Sequence, residues 1–274
     1  LFGGDGADRF LLSFNSASFV VQPSSTGADA AGDGDDYVRI IVWNGNLAYD
    51  QVSMTLGAGN DTYVTTDGLS GNQIDRIAGE SGDDIISTWA GNDMIWGGTG
   101  NDALWGGSGN DTIYGGPGSD YLYAGSGVDI MYGGTGYDYY YWARVDGPGD
   151  QIWDEFRGTP VAPGQQAGNA LLVYPGFDAN GNMPAGTGGG EGDRGLMDNV
   201  GGDDMVQLVD LDGPGGTMWR LDIVSGAGAG SSVTFDQRDI DTIGLWNHEP
   251  GPGQAVIQVY QWDETAQTYL WVSG

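Results

Sequence analysis

A nine-residue period runs without a gap from Gly79 to Tyr141 and leaves few folds open to this chain. Each of its seven units has Gly at the fourth position, Asp at the sixth and an apolar or aromatic residue at the eighth. Glycine adopts positive φ angles at little cost, so the first six residues of a unit suit a tight turn. The last three suit a short strand whose eighth residue points inward. Such a short strand needs copies of itself beside it, so the period predicts a parallel solenoid with two units per coil.

The sixth-position aspartates predict a metal. Two units per coil place each of these carboxylates near the one 18 residues later, and such neighbours repel each other unless a cation lies between them. Ca²⁺ accepts about six to eight oxygen ligands in flexible geometry, and tight turns expose backbone carbonyl oxygens. The chain has no Cys, and its one histidine, His248, lies outside the repeats, which argues against zinc or copper. We therefore expect several calcium ions, held by Asp84, Asp93, Asp102, Asp111, Asp120, Asp129 and Asp138.

The units resemble the RTX (hemolysin-type) calcium-binding repeat of secreted bacterial proteins, G-G-x-G-x-D-x-U-x. The resemblance implies that the sixth-position Asp bridges calcium ions and that the first four residues of the loop offer carbonyl oxygens. Two units depart from the pattern: Thr88 and Trp89 replace both leading glycines of one, and Glu80 replaces the second glycine of another. The backbone ligands that the resemblance implies are Gly97, Gly98, Thr99, Gly100, Gly106, Gly107, Ser108, Gly109, Gly115, Gly116, Pro117 and Gly118.

Isolated units recur upstream and contribute Asp8, Asp36 and Asp61. From Asp8 to Asp138 the spacing of this series of aspartates falls from 28 through 25 and 23 to a constant 18. We interpret the series as one continuous column of calcium turns, with up to six ions between its seven members and about two ions on the opposite edge. The alternative is three decayed repeats joined by unrelated loops. The column interpretation places longer loops around Asn15–Thr26, Asn44–Tyr49 and Asp67–Asn72, and strands at Tyr37–Val42, Gln51–Leu56, Thr62–Thr65 and Gln73–Ile77.

After Trp142 the period stops. We expect an all-β chain: a right-handed parallel β-roll over residues 1–142, with irregular coils over 1–78 and regular nonapeptides over 79–141, and a β-rich region over 143–274 that caps the roll. The segment GDQIWDEF (149–156) and the following NALLVYPGF are similar to the non-repetitive end of many RTX proteins, including serralysin-type proteases. Pro175–Gly195 is expected to be a surface loop. Apolar runs predict strands at Asp204–Leu211, Met218–Val224, Val233–Phe235, Asp241–Trp246, Ala255–Trp262 and Thr268–Val272. Gln258–Trp262 and Thr268–Val272 are expected to form a closing hairpin.

The net charge of −30 bears on partners and activity. A compact state with this charge repels itself, so the chain is either disordered or neutralised by cations, and its 10 Trp, 14 Tyr and 7 Phe favour a core and cations. Nucleic acid is not an expected partner, and no apolar run approaches the ~20 residues of a membrane span. With no Cys, no Lys and one His, the usual pairs of nucleophile and base are missing, so we expect no enzyme activity.

The resemblance implies a secreted protein that stays unfolded in the low-calcium cytosol, leaves through a type I secretion channel and folds outside the cell. We expect a calcium-binding part of a larger extracellular or cell-surface protein, such as a surface layer, filament or adhesin, because Leu1-Phe2 fits the end of an earlier unit. The alternative is the C-terminal RTX module of a secreted hydrolase, such as a metalloprotease or lipase. Aromatic residues at the ninth position are expected to form two outward ladders, which either only stack on themselves or offer a surface for self-association or for a glycan. These residues are Trp96, Trp105, Tyr114, Tyr123, Tyr132 and Tyr141.

Overall fold

All regular structure in the described part of the chain is β-strand. The computed structural model describes residues 7, 9–14, 20–21, 32–42, 51–66, 74–143, 148–153, 169–174, 206–212, 216–223, 230–248, 255–263, 265 and 268–273. Two compact units divide the chain, Leu1–Asp138 and Tyr139–Gly274. Over these described residues, no helix is long and apolar enough to cross a membrane.

The first unit contains two parallel sheets between which the chain alternates. Its strands are β1 (Arg9–Phe14), β2 (Val20–Val21), β3 (Gly32–Asp33), β4 (Tyr37–Val42), β5 (Gln51–Ala58), β6 (Thr62–Thr66), β7 (Ile74–Ser81), β8 (Ile85–Ser87), β9 (Met94–Thr99), β10 (Ala103–Ser108), β11 (Thr112–Gly118), β12 (Tyr121–Ser126) and β13 (Ile130–Gly136). The first sheet has the order β1-β4-β6-β8-β10-β12, and the second has the order β2-β5-β7-β9-β11-β13 with β3 also beside β5. This is the expected parallel β-roll.

The register of the first sheet confirms the shrinking coil. Neighbouring strands pair residues that are 28 apart at Arg9↔Tyr37, 25 apart at Tyr37↔Thr62, 23 apart at Thr62↔Ile85 and 18 apart at Ile85↔Ala103. The irregular upstream units therefore belong to the same stack as the regular ones. The loops expected on the opposite edge lie outside the described residues, apart from Val20–Val21.

Each coil encloses a narrow apolar core. The eighth-position side chains are fully buried, as predicted, at Ile86, Ile95, Leu104, Ile113, Leu122 and Met131. The strands are longer than expected, because β9 and β10 run from the seventh position of one unit to the third position of the next. Since side chains alternate along a strand, the first-position residue faces the core like the eighth. The leading glycines are thus strand residues, and the turn is only three residues long, as at Gly100–Asp102.

The second unit keeps the parallel stacking after the nine-residue period has stopped. Its strands are β14 (Tyr139–Ala143), β15 (Pro148–Trp153), β16 (Asn169–Tyr174), β17 (Val206–Asp210), β18 (Met218–Ile223), β19 (Ser232–Asp236), β20 (Ile240–His248), β21 (Ala255–Asp263) and β22 (Thr268–Ser273). Strands β14, β16 and β20 are parallel neighbours, as are β15 and β19. The predicted closing hairpin is present as antiparallel β21 and β22. The expected surface loop at Pro175–Gly195 lies outside the described residues.

Candidate metal sites in the turns

The turns between the two sheets of the first unit bring the sixth-position aspartates into two rows. The first row lies where the chain passes from the second sheet to the first, and it contains Asp36, Asp61, Asp84, Asp102, Asp120 and Asp138. The second row lies where the chain passes back, and it contains Asp93, Asp111 and Asp129. All nine residues are at most 2% exposed. Asp8, the remaining member of the predicted column, lies outside the described residues.

One carboxylate oxygen of each aspartate joins successive coils. The backbone amide of Asp84 donates to Oδ1 of Asp102 over 2.8 Å, and the amide of Asp102 donates to Oδ1 of Asp120 over 2.8 Å. The same bond spans the longer coils, since the amide of Asp36 donates to Oδ1 of Asp61 over 2.7 Å and the amide of Asp61 donates to Oδ1 of Asp84 over 2.8 Å. The first row is therefore one hydrogen-bonded ladder, and unrelated loops between decayed repeats would not produce it.

The second carboxylate oxygen, Oδ2, takes no part in this ladder. Oδ2 is buried and has no hydrogen-bond partner at Asp61, Asp84, Asp93, Asp102, Asp111 and Asp120. A buried ionised oxygen without a partner is costly, so these atoms require a proton or a cation.

At four units Oδ2 lies in a space beside the first-position glycine, which we call the glycine pocket. A Cβ atom on Gly97 would overlap Oδ2 of Asp102 and lie 2.8 Å from the carbonyl oxygen of Gly115. A Cβ on Gly115 would overlap Oδ2 of Asp120 and lie 2.5 Å from the carbonyl oxygen of Gly133. The pockets of Gly79, which faces Asp84, and of Gly106, which faces Asp111, have the same lining. Each pocket thus joins a carboxylate oxygen to a carbonyl oxygen of the next coil.

The predicted backbone ligands fall into three groups. First-position carbonyls line pockets, as at Gly97 and Gly115, whereas that of Gly106 accepts a hydrogen bond from the hydroxyl of Thr88 over 2.9 Å. Third-position carbonyls, at Thr99, Ser108 and Pro117, accept hydrogen bonds from fourth-position amides of the preceding coil. Second- and fourth-position carbonyls point at the glycines of the next coil, at Gly98, Gly100, Gly107, Gly109, Gly116 and Gly118.

The donor set of the pockets fits calcium. Carboxylate and carbonyl oxygens are hard ligands that Ca²⁺ accepts in flexible geometry. No three His, Asp or Glu side chains come together as a metal cluster among the described residues. An ion in a glycine pocket would therefore be held by carboxylate oxygens supplemented with backbone carbonyls.

Asp75 is a member of the second row that the sequence pattern missed. It is fully buried, and its amide donates to Oδ1 of Asp93 over 2.8 Å. Its unit has Ile77 at the eighth position but lacks the fourth-position glycine, and counting back 18 residues from Asp93 would have found it. The hydroxyl of Tyr63 donates to its Oδ2 over 3.2 Å. Burial, with the negative charge of Asp75, holds the pKa of Tyr63 well above its usual range, so this hydroxyl stays protonated and able to donate.

A second ladder, at the fifth position, explains the recurring Asn-Asp pairs. The amide of Asn101 donates to Oδ1 of Asp83 over 2.7 Å, and the amide of Ser119 donates to Oδ1 of Asn101 over 2.9 Å. These bonds run toward the preceding coil, opposite in direction to those of the sixth position. The repeat pattern G-G-x-G-x-D-x-U-x leaves the fifth position variable, although the recurring Asn and Asp residues there mark this ladder in the sequence.

The buried carboxyl groups titrate far above their usual range when no cation is bound. Burial, reinforced by the charges of neighbouring aspartates, raises the pKa of Asp84 to about 7 and the pKa of Asp111 and Asp120 to about 8. Burial also raises the pKa of Asp61, Asp93 and Asp102 to about 6. The amide that donates to each carboxylate lowers the pKa but does not offset burial. At Asp93 the nearby Thr88 hydroxyl also lowers it, although that hydroxyl is aimed at the carbonyl oxygen of Gly106.

Without calcium, we expect acidification from about pH 8 to about pH 5 to increase the β-structure. These carboxyl groups bind a proton more tightly in the folded chain than at the ordinary pKa of 3.8, so protonation stabilises the fold. That stabilisation is complete below the ordinary pKa and is lost as the pH rises through about 6 to 8. Circular dichroism of dialysed, calcium-free protein measures it, and a variant with Asp111→Asn and Asp120→Asn should respond less above pH 7. A β signal that falls steadily on acidification would contradict this expectation.

The ninth-position aromatic residues stack as two ladders. Trp96 and Tyr114 are 5.8 Å apart between ring centroids and nearly parallel, and Tyr114 and Tyr132 are 4.7 Å apart. On the other sheet, Trp105 and Tyr123 are 4.9 Å apart. The two outward ladders are thus present within the first unit, and their inner ring faces cover one another.

A comparison with known families identifies the repeat. The family model of the RTX calcium-binding nonapeptide repeat, with 4 copies of the unit, matches residues 69–104 and 105–140. The matched region begins before Gly79 and takes in Asp75. No curated protein matches the chain.

Proposed function

Since residues 69–140 are RTX calcium-binding nonapeptide repeats, we propose that this chain is the calcium-folded, structural part of a larger secreted protein. RTX repeats bind Ca²⁺ at several sites in a β-roll, and proteins of this family leave the cell by type I secretion. The repeats themselves are structural and calcium-binding rather than catalytic.

The observation that carries the proposal is the buried Oδ2 oxygen without a partner in successive coils, as at Asp84, Asp102 and Asp120. Folding brings these charged groups out of water and close to one another. A bound cation removes both costs, so its binding free energy becomes folding free energy. The chain would therefore stay unfolded where calcium is scarce and fold where calcium is abundant.

Equilibrium dialysis of the whole chain tests the proposal. We expect several calcium ions per chain, with magnesium unable to replace them, because Mg²⁺ demands small octahedral sites and keeps its water ligands. The variant Asp102→Asn should bind fewer ions, and Asp263→Asn, at the end of β21 in the second unit, serves as its control. Equal retention of calcium and magnesium would argue for simple counterion condensation and against the proposal.

A surface, filament or adhesin role is supported by the outward faces of the two sheets. In the regular coils, the seventh- and ninth-position residues carry no charge although the chain has a net charge of −30. Ile85 and Tyr121 are exposed on the first sheet, 46% and 39%, respectively. Two copies could approach through such a face with little repulsion. Stacking leaves mainly ring edges outward, so this geometry favours self-association over a glycan, which needs open ring faces.

The alternative is the C-terminal module of a secreted metalloprotease or lipase. The sequence of the parent protein separates the two. A zinc-protease HExxH motif or a GxSxG motif upstream would favour the hydrolase.

A further inference from the structure

The first position of each unit is not always glycine. Gly79, Gly97, Gly106 and Gly115 leave their pockets open beside a buried aspartate. The corresponding residue is Leu56 in the unit of Asp61, Thr88 in the unit of Asp93 and Ala124 in the unit of Asp129. All three of these residues are at most 1% exposed. Their side chains therefore lie inside the roll, on the face where the other units have only a hydrogen.

Thr88 shows what such a side chain does. Its amide donates to the carbonyl oxygen of Trp105 over 3.1 Å. Trp105 pairs with Ser87 and Tyr114 pairs with Trp96, so Thr88 has the same register against Gly106 that Gly97 has against Gly115. Its hydroxyl donates to the carbonyl oxygen of Gly106 over 2.9 Å. In the units that begin with glycine, the corresponding carbonyl oxygen, from the first residue of the next coil, lines the glycine pocket. The threonine thus supplies the carbonyl with a hydrogen-bond donor from within the chain.

We propose that the first residue of each unit decides whether its turn holds a calcium ion. Glycine leaves room for the ion, whereas Leu56, Thr88 and Ala124 fill the pocket. This inference rests on the proposed function and deepens it. The four glycine pockets established above then hold three ions in succession on the first row, at Asp84, Asp102 and Asp120, and one on the second row, at Asp111. The spacing of the aspartates alone predicts up to six ions on one edge and about two on the other.

The two rows would therefore differ in how successive coils are held together at their turns, by calcium ions or by side chains. Calcium joins consecutive coils along the first row. Along the second row, turns with calcium alternate with turns in which a side chain takes its place. The second row ends at Asp75, whose Oδ2 accepts a hydrogen bond from Tyr63. Calcium depletion would then weaken the first row more than the second.

The test counts calcium ions bound at saturation, by equilibrium dialysis, in the full chain and its variants. We expect Thr88→Gly and Ala124→Gly each to bind one ion more per chain than the parent. Gly115→Ala should bind one ion fewer, because its backbone tolerates Ala while its pocket does not. Thr135→Gly, the same change as Thr88→Gly at an exposed third position, should leave the count unchanged.

The outcomes separate the two proposals. A parent chain that binds no calcium overturns the proposed function itself. A parent that binds calcium, with the same count in Thr88→Gly, Ala124→Gly and Gly115→Ala, overturns the present inference alone. Circular dichroism in saturating calcium confirms that each counted variant is folded. If the gain-of-ion variants do not fold, Gly115→Ala decides, since a full count in that variant contradicts the inference.

Discussion

Removing calcium with excess chelator should convert the first unit from β-structure to an expanded, disordered chain. A buried carboxyl group that must either stay charged without a partner or take up a proton at neutral pH costs on the order of 1–3 kcal/mol or more. Four such groups face open glycine pockets, at Asp84, Asp102, Asp111 and Asp120. Together they cost an amount comparable with the roughly 5–15 kcal/mol that stabilises a whole domain. The fold should therefore not survive at neutral pH once the cations are gone.

Far-ultraviolet circular dichroism and small-angle scattering follow this transition. The β signal should disappear and the radius of gyration should increase in chelator, and excess calcium should restore both. Magnesium at the same concentration is the control, since it supplies the same charge and ionic strength without suiting the site. A spectrum and a radius that stay the same in chelator would show that the roll is stable without ions.

Much of the roll was predictable because each position of the unit has a local role. An apolar eighth residue needs a core, and residues such as Ile95 and Leu104 are fully buried in it. The decreasing spacing from Asp36 to Asp84 also predicted a continuous stack, since insertions on one edge leave the register of the other edge intact. The register of β4, β6 and β8 shows this stack.

The parts that the sequence did not reveal depend on the neighbouring coil. Asp75 lies in a unit without the fourth-position glycine, and its hydrogen-bond partner Tyr63 comes from a strand of the opposite sheet. The role of Thr88 is visible only when Gly106 lies beside it, 18 residues later. The nine-residue pattern gives the residue type at each position of a unit. The lining of a pocket depends instead on which residues of neighbouring coils face each other.

The second unit shows the same limit for strand pairing. Alternating apolar residues predicted most of its strands within a few residues, including β18, β20 and β21. They did not predict that β16 pairs in parallel with both β14 and β20. Without a repeat, nothing in the sequence marks which strands are neighbours, because burial of one face is compatible with many orders.

Gly100→Ala should be among the most damaging single substitutions in the roll. Gly100 has a φ of +135°, and a Cβ there would overlap the carbonyl oxygen of Gly82 and lie 2.5 Å from its carbonyl carbon. These are backbone atoms of the preceding coil, so no side chain can move to make room. The positive φ alone is not decisive, since Glu80 and Trp89 take φ values of 82° and 68° at second positions. We expect a loss of about 3 kcal/mol or more, from backbone strain and from forcing two coils apart.

The matched control is Gly230→Ala in the second unit. Gly230 has a φ of +97°, but nothing lies within 4 Å of a Cβ built there. Gly230→Ala therefore has the cost of about 1 kcal/mol of placing Ala at a positive φ, but its Cβ overlaps no neighbouring atom. Urea denaturation in saturating calcium, followed separately for each unit by its aromatic signals, measures both variants. Since the two glycines differ mainly in what lies beside them, equal losses would show that conformation, not the contact between coils, requires glycine at the fourth position.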